Sequence, residues 1–184
     1  MIARAQNGFS LIEALVAMVV LTMGILGIAA LQITSMRNTQ GSYARSQATN
    51  LSNGLAERIY ANTPGAINYG GFDSNANNAC ITPANTCATE SAASAVACST
   101  SNMATYDLNK VGCGASGAQG LLTSGRLQVD CLNAAGAVTA CAAGLRIRIT
   151  VSWTERGTIV EGSSAAAMDA ANLVTQSVNL VIQP

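Results

Sequence analysis

Residues 9–31 form an unbroken apolar run of 23 positions in which only Ser10, Glu13 and Thr22 are polar and none is basic. About 20 residues rising 1.5 Å each match the hydrocarbon core of a bilayer, so the run is long enough to cross one as a helix. Few other features constrain a chain this strongly. The preceding residues, MIARAQNG, carry one basic side chain, Arg4, on the near side of the run. That asymmetry predicts a cytoplasmic N-terminus and an exported remainder.

The place of the small residue Gly8 is unusual. A secretory signal peptide puts its small cleavage-site residues after the apolar core, and the core is then discarded. Here Gly8 precedes the core, and the small residues behind it, Ala29 and Ala30, follow a segment longer than a normal signal core. An uncleaved anchor is the plainer alternative. Glu13 adds a second constraint. A carboxylate inside an apolar helix is costly and is normally paired or functional. The backbone nitrogen of Phe9 lies four residues away, about one helical turn, in the same chain or in a neighbouring one. A tolerated carboxylate near the membrane interface is the alternative.

Composition narrows the exported part. The 184 residues contain nine Lys plus Arg, nine Asp plus Glu and no His. A neutral balance with no basic cluster gives no footing for nucleic-acid binding. The length suits one membrane helix and one modest domain. Aromatic residues are few, so the core of that domain is small. All six cysteines, Cys80, Cys87, Cys98, Cys113, Cys131 and Cys141, lie beyond the apolar run. An even number in an exported domain favours disulfides. Six cysteines allow fifteen full pairings. Cys131 with Cys141 is the pair that flanks a glycine-containing loop between two strand-like runs. No CxxC spacing or histidine supports zinc, and the scattered Asp73 and Glu90 do not make a calcium loop. Without a base to activate a nucleophile, catalysis is not expected, and no cofactor is called for.

Beyond the apolar run, Ala44, Ala48, Leu51, Leu55 and Ile59 recur at steps of three and four, the stripe of an amphipathic helix. Arg37, Arg45, Glu57 and Arg58 can face away from it. Thr63-Pro64-Gly65 ends the helix, because the residue before proline leaves helical geometry. The helix thus predicted over 9–62 has 54 residues and a length of roughly 80 Å. Gly24 and Gly27 within it suit close packing against another helix. Residues 65–98 read as a surface loop held by cysteines. A short helix follows from 99, capped by Ser99, Thr100 or Ser101, with Met103, Tyr106 and Val111 on its buried face and a stop at Gly112. Tyr106 is expected to pack beside a solvated Asp107. Residues 114–120 read as a turn.

Alternation then predicts strands. Leu127, Val129 and Cys131 alternate with polar neighbours, as do Leu145, Ile147, Ile149, Val151 and Trp153. Residues 155–158 read as a turn into Ile159 and Val160, and 161–172 as a loop. Val178, Leu180 and Ile182 mark the last strand. Arg146 and Arg148 fall on the solvent side, as a solvated face or an anion-attracting one. The fold class is therefore α+β: a long N-terminal helix, transmembrane and then amphipathic, packed on a C-terminal antiparallel sheet with disulfide-held loops.

Several segments together resemble a known family. Gly8, Phe9 and Glu13 resemble the class III, or prepilin, signal at all three places. MGILGIAALQ (residues 23–32), LAERIYANTPG (55–65), CSTSNMATYDL (98–108), GRLQVDC and LRIRITVSW resemble minor type IV pilins of the PilV type, the pilus modification proteins. The resemblance implies cleavage between Gly8 and Phe9 by a prepilin peptidase, and N-methylation of Phe9. It implies four parts: a leader (1–8), a transmembrane or filament-core helix (9–32), its amphipathic continuation (33–62) and an exported head (63–184). For Glu13 it implies an assembly role, pairing with a neighbouring subunit's new amino group. It further implies a low-abundance subunit that joins other minor pilins and the major pilin on an inner-membrane assembly platform. That subunit helps start the filament and stands near its tip beside a large adhesin, supporting adhesion or twitching motility. A minor pseudopilin of a type II secretion system, with the same signal and helix, is the alternative.

Overall fold

The computed structural model describes residues 10–76, 79–80, 87, 98–156 and 173–184. These fall into two compact units, Met1–Ser42 and Tyr43–Pro184. One helix, α1 (Leu11–Ala61), contributes to both.

From Leu11 to Leu31 α1 is apolar on every side apart from Glu13 and Thr22. In the second unit it becomes one-sided, as the spacing predicts. Ala48, Ser52, Leu55, Ala56 and Ile59 are buried, with Ala44 and Leu51 packed at the margin of the same core. Ser52 is tolerated in the stripe because its hydroxyl donates to the Thr49 carbonyl at 2.9 Å. The helix closes when the Asn62 N–H bonds the Arg58 carbonyl at 3.0 Å. Pro64 has no N–H to continue the ladder, and a 3₁₀ turn (Thr63–Asn68) takes over.

The sheet is antiparallel throughout. Its strands are β1 (Phe72–Asp73), β2 (Arg126–Leu132), β3 (Val138–Thr139), β4 (Arg146–Arg156) and β5 (Leu173–Ile182). They lie in the order β1-β2-β4-β5, with β3 beside β2. Register explains the core. Leu127 sits opposite Val151, Val129 opposite Ile149 and Cys131 opposite Ile147. Across β4, Ile147, Ile149 and Val151 face Ile182, Leu180 and Val178. A period of two puts these rows on one face, where they join Trp153 and the α1 stripe in a single buried cluster.

Two short helices complete the described head. Helix α2 (Thr100–Gly112) is capped by Ser99, whose hydroxyl accepts from the Asn102 N–H at 3.2 Å. Val111 is buried as expected, whereas Met103 and Tyr106 are only partly so, and Ala104 and Leu108 carry more of the buried face. Helix α3 (Ala118–Leu121) occupies what the sequence reads as a turn. Strand β4 runs through Glu155 and Arg156, two residues into another expected turn. The strand and loop expected over 159–172 lie outside the described residues.

Three disulfides pair Cys80 with Cys113, Cys87 with Cys98 and Cys131 with Cys141. The last clips the start of the β2–β3 hairpin to the approach to β4. Gly70 lies against it so closely that a Cβ there would overlap both sulfurs.

Candidate assembly interface

The first unit presents a surface that water does not suit. From Leu11 to Met36 every large aliphatic side chain is exposed, Leu26 at 70% and Leu31 at 72%. The most apolar 18-residue window of α1 has a mean hydropathy of 2.6 and none of it is buried within the chain. Exposed apolar area is unfavourable at roughly 25 cal/mol per Å². Such a surface therefore needs either lipid or the helices of neighbouring subunits. Adding a Cβ at Gly24 or Gly27 meets nothing within 4 Å, so both small residues mark open surface.

Glu13 is the single charged residue between Leu11 and Met36. It lies in the first turn of α1 and is exposed. The Glu13 and Ala14 N–H groups both donate to the Ser10 carbonyl, at 3.1 and 3.2 Å. An acidic side chain there is favoured by the positive end of the helix dipole. In a lipid or helix-packed setting it still calls for a cationic partner. Gly8 and Phe9, the processing positions, lie outside the described residues.

The second unit holds the end of α1 with a polar cluster that the sequence reading missed. Asp107, expected to be solvated, is 3% exposed. Arg58, expected to face away, donates from Nη1 to Asp107 Oδ1 at 2.7 Å. The Tyr69 hydroxyl donates to Oδ2 of the same carboxylate at 2.6 Å. Asn62 Nδ2 then bonds the Tyr69 hydroxyl at 3.2 Å and the Thr100 carbonyl at 2.8 Å. Burial, followed by the bond to Asp107, pushes the Tyr69 hydroxyl well above the ordinary tyrosine range. One cluster thus joins α1, the 3₁₀ turn and α2. The signal that reveals Asp107 is helical spacing: Ala104, Asp107, Leu108 and Val111 fall at i, i+3, i+4 and i+7.

The strand arginines are also committed internally. Arg148 donates to Asp130 at 2.8 Å. Arg146 donates to the carbonyls of Asn133 and Ala134, at 3.0 and 3.1 Å. Neither is the free cation that an anion-attracting face requires. Arg126 holds Asp73 from two nitrogens, its Nε at 2.8 Å from Oδ1. That pairing lowers the Asp73 carboxyl below the usual carboxylate range.

Two family models match. Residues 3–29 match the prokaryotic N-terminal methylation motif, and residues 30–109 match a model described as Tt1218-like, type IV pilin Tt1218. No curated protein and no solved structure matches the chain. The two matched segments abut. They divide within α1, so the methylation motif covers the open apolar surface and the pilin model covers the stripe, the 3₁₀ turn and α2. With an apolar helix entering an α+β head stapled by disulfides, the chain is a type IV pilin.

Proposed function

We propose that this pilin is a minor subunit of a type IV pilus, of the PilV type, that helps start the filament and stands near its tip. The observation that carries the proposal is the exposed carboxylate of Glu13 in the first turn of α1, the single charge in the apolar stretch from Leu11 to Met36 and within the residues that match the methylation motif. A prepilin peptidase cuts between Gly8 and Phe9 and Phe9 is methylated. The leader (1–8) is lost. Residues 9–32 hold the subunit in the inner membrane and later enter the filament core, 33–62 continue the helix, and 63–184 form a periplasmic head. Adhesion and twitching motility follow from the filament rather than from chemistry in the head, since pilins are structural proteins.

The amino group of Phe9 in a neighbouring subunit is the cation that Glu13 calls for. Two unit charges at 4 Å attract by about 4 kcal/mol at an effective dielectric of 20. Such an interaction draws a subunit out of lipid at one register and no other. Other minor pilins, the major pilin, the assembly platform and a tip adhesin are the partners in this reading.

Glu13→Ala tests it. Alanine lowers the cost of insertion and keeps helix propensity. Immunoblots of membrane and sheared-filament fractions are expected to show normal membrane levels and a depleted filament signal. Normal recovery in filaments would remove Glu13 from the mechanism.

A further inference from the structure

The two edges of the sheet are built differently. Strand β1 is two residues long, and its Asp73 is held by Arg126. Short edges and edge charges are the usual guards against pairing with another chain. Strand β5 has neither. It runs for ten residues, LVTQSVNLVI, with no charge, proline or glycine. Its register on β4 is unbroken from Ile147–Ile182 to Arg156–Leu173, so no bulge turns the edge aside. Among the described residues β5 pairs only with β4. In antiparallel pairing alternate residues aim both backbone groups at the partner strand and the others aim away. About five residues of β5 therefore offer an N–H and a C=O outward.

The side chains along that edge specify what fits. Thr175, Ser177 and Asn179 point to the exposed face, flanked there by Leu173 at 56% and Val181 at 47% exposure, while Val178, Leu180 and Ile182 continue the core row, with Gln176 its one polar member. Val174 stands in the core row yet is 45% exposed, so the row is open at this end.

We infer that β5 is an assembly edge that accepts an extended, uncharged strand from another pilin subunit, largely apolar on the core side and, on the outer side, small and polar opposite Thr175, Ser177 and Asn179 with apolar positions at the two ends toward Leu173 and Val181. Assigning the strand to a pilus subunit rests on the function proposed above, whereas the chemistry of the edge does not. Such strand addition gives affinity through the main chain and specificity through alternate side chains. It orients the head, while the α1 helices pack independently.

The test uses the full chain with Ser177 replaced by the photoreactive p-benzoyl-phenylalanine, cross-linked in native membranes. An adduct whose peptides identify a different pilin is expected. Val174→Lys, which aims a charge into the core row of the edge, should reduce it at least tenfold, and Val174→Thr should preserve it. Hydrogen exchange on the purified chain in detergent should find alternate β5 amides fast, and the same amides slow in filaments. Slow exchange of all β5 amides in the purified chain would overturn the inference, because residues 157–172 or another part of the chain would then cover the edge. An adduct to a second copy alone, or none from a chain that enters filaments, would overturn it too. Fast alternate exchange in a chain absent from filaments would contradict the pilus reading and the assigned partner, and leave the open edge standing.

Discussion

Breaking the Arg58–Asp107 pair should cost more from the arginine side than from the aspartate side. The side chain of Asp107 is 4% exposed and that of Arg58 is 41% exposed. In Asp107→Asn the guanidinium turns to water and the amide keeps the shape of the carboxylate. The loss is then the charge-assisted part of two hydrogen bonds, about 1–2 kcal/mol. In Arg58→Met the carboxylate stays buried with the Tyr69 hydroxyl at 2.6 Å as its remaining side-chain donor. Stranding a buried charge costs about 3–5 kcal/mol, and we expect about 3 because the site lies under a half-exposed arginine. The double variant should cost less than the sum, by more than the ~0.5 kcal/mol scatter of independent sites. Urea unfolding of the full chain in detergent can be followed by Trp153, the only tryptophan and 2% exposed in the same core. The opposite order, or simple additivity, would refute the view of Asp107 as the buried member of one coupled cluster.

Three further outcomes follow from the head. Gly70→Ala should lower the urea midpoint by about 1–3 kcal/mol equivalent, since a Cβ there displaces the Cys131–Cys141 disulfide; an unchanged midpoint would contradict that packing. Tyr69 has its ionisation raised in the fold. Its contribution to stability should be whole below pH ~10, the unfolded tyrosine value, and be lost as pH rises toward the folded value. A midpoint series from pH 8 to 11 on wild type and Tyr69→Phe checks this, with the steeper alkaline fall expected in wild type. Asp73 has its ionisation lowered by Arg126, so its contribution is present above the unfolded value near pH ~4 and fades as pH falls below it; Asp73→Asn should flatten that acid limb.

The long apolar helix, the amphipathic stripe and the long strand were legible because each repeats one physical rule over many residues. An unbroken apolar run marked the helix that the structure describes from Leu11, spacing of three and four marked 44–59, and alternation marked 145–153. The Cys131–Cys141 pair was legible from local context, since ten residues separate the two across a hairpin. The other two pairs depend on where distant segments meet, and no local pattern encodes that. Strands β1 and β3 have two residues each, too few to alternate. Asp107 and Arg58 depart from the expectation that a charged residue seeks water. Each can be accommodated inward only because the other arrives, along with Tyr69, from elsewhere in the chain. Spacing in α2 alone places Asp107 on the inner face, with Ala104, Leu108 and Val111.

The central claim is that this chain is processed and assembled as a pilin, and its N-terminus tests that most directly. Mass spectrometry of the N-terminal peptide, from chain recovered in sheared filaments, should find it beginning at Phe9 with one methyl group on the amino nitrogen. A chain that keeps Met1, or that begins near Gln32 after ordinary signal-peptide cleavage, would contradict the account.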